Sequence, residues 1–209
     1  KDALRTARNS GLAPAEMQID FDCPESKLDG YAKWLKMLAG AKLGVRLSFT
    51  SLPSWLDNHD FKTLANAADE FVLQIHSFRI PTLGDCSILC GRSQAERWIW
   101  DAARAGRPFR VALPTYSYMV AFDRKGKFIG LSADGPQMKW PQTAKVRRVD
   151  SPADELASLV IEWQKRRPAN MTGLIWFRLP VSTDSLNFTQ TTLNEIMKGR
   201  TPAPKIVAE

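Results

Sequence analysis

Five short apolar runs recur along this chain, each separated from the next by a segment of helical period, and that alternation restricts it to α/β architectures. The runs are "MQIDFD" (17–22), "VRLSFT" (45–50), "FVLQIH" (71–76), "FRVALP" (109–114) and "GLIWFRLP" (173–180). Between and after them lie helical segments at 26–41, 57–69, 93–106, 152–167 and 187–199. In the first of these, Leu28, Tyr31, Leu35 and Leu38 recur at helical spacing, with Ser26 as a cap and Gly40 near the end. Residues 1–11 form a further helix ahead of the first strand, and 115–132 reads as an inserted hairpin with "DRKGK" as its turn. Strands that each lead into a helix pair in parallel through right-handed crossovers. An open doubly wound sheet and part of a (β/α)8 barrel both fit. No glycine-rich loop follows the first strand, which counts against dinucleotide binding. Five units are three short of a closed barrel. Either three strands lie upstream, or the sheet is open.

At 209 residues, 44% of them hydrophobic and 24% charged, the chain has the composition of a soluble domain with a substantial core. No apolar run reaches the length of a membrane span. The net charge of +7 is scattered, with short clusters at "KVRR" (145–148) and "QKRR" (164–167). No basic and aromatic stripe repeats, so a nucleic-acid partner is not expected. Cys23, Cys86 and Cys90 match no zinc spacing, and no cofactor or metal is expected. Cys86 and Cys90 are read as reduced thiols, with a local bridge as the alternative. The chain begins with Lys, so a targeting signal could have been removed upstream.

The two faces of each strand differ in chemistry. In a barrel, alternate residues point to the outer helices or into the lumen. The apolar sets are assigned to the helices: Met17, Ile19, Phe21; Val45, Leu47, Phe49; Phe71, Leu73, Ile75; Phe109, Val111, Leu113; and Ile175, Phe177. The lumen then receives Gln18, Asp20, Asp22; Arg46, Ser48, Thr50; Val72, Gln74, His76; Arg110, Ala112, Pro114; and Leu174, Trp176, Arg178. Strands buried on both faces of a doubly wound sheet would instead be apolar throughout. Barrel active sites lie at the C-terminal strand ends. That expectation gathers Asp20, Asp22, Gln18, Thr50, Gln74, His76, Trp176 and Arg178, joined by Trp55, Tyr116 and Asp184 from the loops. Aromatic rings beside carboxylates suit a sugar, which stacks its C–H face on an indole while its hydroxyls take hydrogen bonds. The competing expectation is a polar lumen neutralised by Asp–Arg pairing.

The blocks "QIDFDCPESKLDGYAKWLKML", "RLSFTSLPSWL", "FVLQIHSF", "RVALPTYSY" and "GLIWFRLP" resemble a bacterial family of unknown function, domain-of-unknown-function family 3142, which is similar to TIM-barrel glycoside hydrolases. The resemblance covers roughly residues 15 to 195. It implies a (β/α)8 TIM-barrel type with a parallel sheet and outer helices, of which this chain supplies the last five βα units. "MQIDFD" is then the fourth strand, with the first three units upstream. Residues 1–200 form one partial-barrel domain on this reading, and 201–209 form a tail. The resemblance also implies a carbohydrate ligand and a periplasmic, cell-envelope or secreted location. Barrel hydrolases of the chitinase kind carry "DxDxE" at this place. Here the third acid falls at Pro24, and Glu25 is out of phase.

Glycoside hydrolysis usually needs two carboxyl groups about 5–5.5 Å apart for retention or about 6.5–9.5 Å apart for inversion. Residues two apart on a strand have Cα atoms about 6.5–7 Å apart and suit either range. Asp22, nearer the mouth, is expected as general acid/base, with Asp20 as electrostatic partner or nucleophile. Close carboxylates raise one another's proton affinity, which an adjacent Arg178 would oppose. A non-catalytic glycan-binding or scaffold barrel is the alternative, as is a metal-dependent hydrolase using Asp20, Asp22 and His76. An isolated five-unit piece also leaves sheet edges open, so an open curved sheet or a self-association covering the edges is expected.

Overall fold

The computed structural model describes residues 2–76, 89–133 and 138–203. In chain order the elements are α1 (Asp2–Asn9), β1 (Glu16–Ile19), α2 (Leu28–Gly40), β2 (Arg46–Ser51), α3 (Phe61–Ala65), β3 (Glu70–Gln74) and α4 (Arg92–Ala103). They continue with β4 (Phe109–Pro114), β5 (Tyr118–Phe122), β6 (Phe128–Ser132), β7 (Lys145–Val149), α5 (Ala153–Lys165), β8 (Met171–Phe177) and α6 (Gln190–Met197). The protein is an α/β fold with a five-stranded parallel sheet, in the order β1-β2-β3-β4-β8, and outer helices. Cys86 lies outside the described residues, and with it the Cys86–Cys90 pair; of the tail, 201–203 are described.

The chain divides into two compact units. The first gathers Lys1–Ile75, Glu96–Ala112 and Pro168–Ile175. Its helix-facing core follows from one register. Phe49, Phe71 and Phe109 are successive partners across β2, β3 and β4, so their rings stack at 6.0 Å and 5.3 Å between centroids. Tyr31 of α2 meets Phe49 edge-on at 5.9 Å, and Phe61 of α3 meets Phe71 at 5.4 Å. Leu28, Leu35, Leu64 and Ile99 complete the apolar layer and are fully buried. Each such residue, removed from water, contributes roughly 1.5–3 kcal/mol before entropy is counted.

The opposite face of this unit holds a charged network. Glu16 accepts from Ser48 and Arg110. Arg110 Nε lies 2.8 Å from Glu70, Arg46 pairs with Glu70 at 3.2 Å, and Thr172 donates to the same carboxylate. Polar residues on this face do neutralise one another, but through Glu16 and Glu70 at the strand beginnings rather than through aspartates.

The second unit comprises His76–Ala95, Leu113–Arg167 and Trp176–Glu209. The expected hairpin is present as β5 and β6, closed where Asp123 accepts from the backbone of Lys125 and Lys127. Gly126 sits in that turn at φ +82°, a conformation that favours glycine. A third strand, β7, extends the sheet to β6-β5-β7. It contains the "KVRR" cluster, whose exposed basic side chains hide its strand character. Leu89, Tyr116, Val120, Phe122 and Val149 form one core cluster of this unit, with Tyr118, Phe128 and Leu131 packed against them.

Candidate functional site

In the first unit, the ends of three neighbouring strands meet at one carboxylate. Asp20 follows the last residue of β1 and is exposed. Its Oδ1 accepts from Thr50 Oγ1 of β2 at 2.7 Å and from Gln74 Nε2 of β3 at 3.3 Å. Thr50 is buried, and its hydroxyl is also 3.4 Å from the carbonyl of Ile19. The carboxylate is therefore held on one side by protein donors and presented to solvent on the other. Gln18 is exposed two residues before it.

Asp22 departs from the expected geometry. The strand ends at Ile19, and the amide of Cys23 donates to the carbonyl of Phe21 at 2.9 Å. An i to i+2 bond of this kind is a γ-turn, and Asp22 is its central residue. The pair therefore does not continue a strand. Alternation ends with the ladder, which is why Phe21, expected among the helix-facing residues, is 50% exposed although its ring meets Tyr31 edge-on at 5.5 Å. Asp22 itself is exposed. Beyond it Pro24 leads into the 3-10 turn Glu25–Lys27, whose Glu25 carbonyl accepts from Asn58 at 3.2 Å.

Trp55 was expected as an exposed stacking surface and is instead 1% exposed. The turn Pro53–Trp55 folds its indole inward, where Tyr31 meets it edge-on at 6.2 Å. It is a core residue and offers no face to a ligand.

In the second unit His76 stands beside Tyr116 and Phe177, while Arg178 and Asp184 pair with each other. Tyr118 Oη donates to Tyr116 Oη at 3.2 Å, and Tyr116 Oη pairs with His76 Nδ1 at 2.9 Å. Burial, followed by the hydrogen bond and charge of Tyr118, pushes the Tyr116 phenol far above its ordinary range, so it stays protonated. Tyr116 was expected at the mouth and is 8% exposed, which makes it a support for His76 rather than a surface. Phe177 was assigned to the helix side. It lies instead parallel to the His76 imidazole, with centroids 5.7 Å apart and 4° between planes, and is 48% exposed. The sequence parity could not place it, because Phe177 is the last residue of β8. Trp176 is half-buried.

Arg178 is committed to a local clamp. Its two terminal nitrogens donate to Asp184 at 3.1 Å and 2.6 Å, a bidentate pair. Asp184 also accepts from the Val181 amide at 2.9 Å and from Asn187 at 3.1 Å. The Val181 bond, then Arg178 and Asn187, hold the Asp184 carboxyl below its ordinary value against the effect of burial. This clamp shapes the loop after β8, a role that Asn187 shares and that its sequence context did not signal. Among the described residues no three His, Cys, Asp or Glu side chains are arranged to hold a metal ion, which leaves the metal-dependent alternative without a ligand set there. No helix among them is long and apolar enough to cross a membrane.

A family profile described as "Domain of unknown function (DUF3142)" matches residues 1–182. Among solved structures, the chain is similar to the spore cortex-lytic enzyme SleL of Bacillus cereus, with a TM-score of 0.62 and 13% identity. That match covers 99% of this chain and 53% of SleL, so the chain spans about half the length of that enzyme. It is also similar to the Group IV chitinase of Ostrinia furnacalis in complex with allosamidin, with a TM-score of 0.53 and 10% identity over 95% of this chain and 72% of the chitinase. At such identities the likeness concerns the fold. A comparison with curated proteins finds no match.

Proposed function

Because this chain belongs to the DUF3142 family, whose description names no function, we propose a role from its own residues: a carbohydrate-directed barrel protein whose chemistry is carried by Asp22 and Asp20. The observation that carries this reading is the grip of Thr50 and Gln74 on an Asp20 carboxylate that stays open to solvent. A carboxylate serving only to close a strand end has no need of donors from two further strands. The similarity of fold to SleL and to a chitinase supports placing the five βα units as the last five of a (β/α)8 barrel, with β1 as the fourth strand. A location in the cell envelope or beyond is part of the same proposal.

In the proposed reaction Asp22, protonated, gives its proton to the glycosidic oxygen as the bond from that oxygen to the anomeric carbon breaks. Asp20, fixed and negative, faces the positive charge that develops on the sugar ring. The ionised Asp22 then takes a proton from the water that attacks the anomeric carbon, which restores both groups. Pro24 stands where the chitinase pattern has its third acid, so the proton falls to Asp22. The names of the fold neighbours make spore cortex and chitin oligosaccharides the first panel. Release of reducing ends should fall at least about 100-fold in Asp22→Asn, the usual scale for general acid–base catalysis. Undiminished release from the variant overturns the assignment.

Pro24 favours a second reading, a glycan-binding barrel that performs no hydrolysis. Tight binding of a panel oligosaccharide with no reducing ends released over a long incubation supports it over the enzyme.

A further inference from the structure

The three-stranded sheet of the second unit has two faces, and its core uses one. Residues opposite one another in an antiparallel pair share a face. Tyr118, Val120 and Phe122 with Leu131, Phe128 and Val149 make the packed side. The other side therefore carries Met119 and Ala121 of β5, Ser132 and Gly130 of β6, and Arg148 and Val146 of β7. A cavity of about 300 Å³ lies against it, lined by Met119, Ser132, Met138, Trp140, Ser185 and Leu186 among others. That volume falls at the lower end of small-ligand sites.

Trp140 forms its aromatic wall. A methyl group on Gly130 would lie 3.0 Å and 3.3 Å from Cζ3 and Cη2 of the indole, with no other ring atom within 4 Å. The ring is therefore seated on the sheet by its far edge and stands up from it, and a side chain at Gly130 would push the indole back by a few tenths of an ångström or more. The described lining residues carry no charge, although β7 is rich in Lys and Arg. Lys145 and Arg147 alternate onto the other face. Arg148 shares the cavity's face but is tied to Asp150 at 2.6 Å and to Ser117 at 3.1 Å.

We propose that this cavity is a separate saccharide site, taking one neutral pyranose unit. A sugar ring has an apolar C–H face for the indole, and its hydroxyls can donate to Ser132 Oγ, whose own proton goes to the Ala133 carbonyl at 3.2 Å. An anionic ligand would meet no cation among the lining residues, and an acyl chain would make no use of the Ser132 oxygen as an acceptor. The choice of a saccharide rests on the carbohydrate reading above, but the site is independent of Asp20 and Asp22.

Calorimetric titration of the full chain with chitotriose and cellotriose tests it. Trp140→Ala should weaken binding at least tenfold, Ser132→Ala about threefold, and Trp140→Phe should retain most of it, while Asp22→Asn leaves this binding unchanged. Gly130→Val keeps the indole but drives it off its seat, and should weaken binding as Trp140→Ala does. Variants that keep the wild-type circular dichroism and bind both sugars as the wild type does overturn the proposal, as does a wild type that binds neither. Binding that depends on Trp140 without hydrolysis keeps this site and removes the catalytic reading. Hydrolysis that depends on Asp22, with binding indifferent to Trp140, does the reverse.

Discussion

Glu70 has 3% side-chain exposure, and two guanidinium groups face it, Arg110 at 2.8 Å and Arg46 at 3.2 Å. Without Arg110, the only guanidinium left to Glu70 is the more exposed Arg46, so the loss is a part of the about 3–5 kcal/mol that a wholly unpaired buried charge costs. Arg110→Ala should therefore lower the urea midpoint sharply, and adding Glu70→Gln to it should recover part of the loss. Glu16 makes the same network sensitive to pH. Burial raises its carboxyl, but the bonds from Ser48 and Arg110 and the charges of Arg110 and Arg46 outweigh that and hold it below its ordinary 4.5. A lowered folded value means the stabilisation is complete above pH 4.5 and is lost as pH falls through the lower value. In urea melts from pH 7 to pH 3, Glu16→Gln should show a flatter acid limb than the wild type; parallel curves would count against the assignment. Neither acid was among the sequence candidates, because the apolar runs begin one residue later, at Met17 and Phe71. Sequence parity did find Thr50 and Gln74 beside Asp20, because polar and apolar residues alternate cleanly in β2. It failed at Asp22, where a γ-turn replaces the strand and alternation stops having meaning.

At the scale of elements, the sequence was most readable where one face is wholly apolar. Phe49, Phe71 and Phe109 were assigned to the apolar faces of their runs, and as cross-strand partners they stack in one layer. β7 was missed for the opposite reason: its side chains are nearly all exposed and basic, so its pairing with β5 leaves no apolar signature. The turn after α6 is a second case in which packing decides. Gly199 follows the helix at φ +71°, and a methyl group there would lie 2.5 Å from Cγ1 of Ile161 in α5. An L-residue in the left-handed region costs about 1–2 kcal/mol, and overpacking adds about 1–3 kcal/mol. Gly199→Ala should lower the melting temperature by roughly 4–20 °C for a chain of this size. Combining it with Ile161→Ala should recover the overpacking part alone, so full recovery or none would show that the contact is misjudged.

For the whole molecule, the parallel sheet poses a problem that its residues do not solve alone. Among the described residues β1 and β8 each have one strand neighbour, so each presents an unpaired edge. β1 is short, with four residues, whereas β8 runs for seven without a charge. The inner strand β3 is buried along nearly its whole length, while only Met171 of β8 is. A long uncharged edge rich in β-formers is the kind of template that pairs with another chain. Alternation into helices made the parallel sheet predictable, but nothing in a strand's own sequence says what lies against its outer edge. The expected outcome is concentration-dependent association of the 209-residue chain, with the mass seen by light scattering rising above 23.5 kDa. Leu174→Lys places a charge on β8, a common protection of exposed edges, and should bring the mass back toward the monomer. If three upstream βα units complete a barrel, a chain extended to include them should stay monomeric at the same concentrations, because closure removes both edges at once. A wild-type mass that stays at 23.5 kDa at every concentration would mean that β8 is protected in some other way, and association through this edge would be wrong.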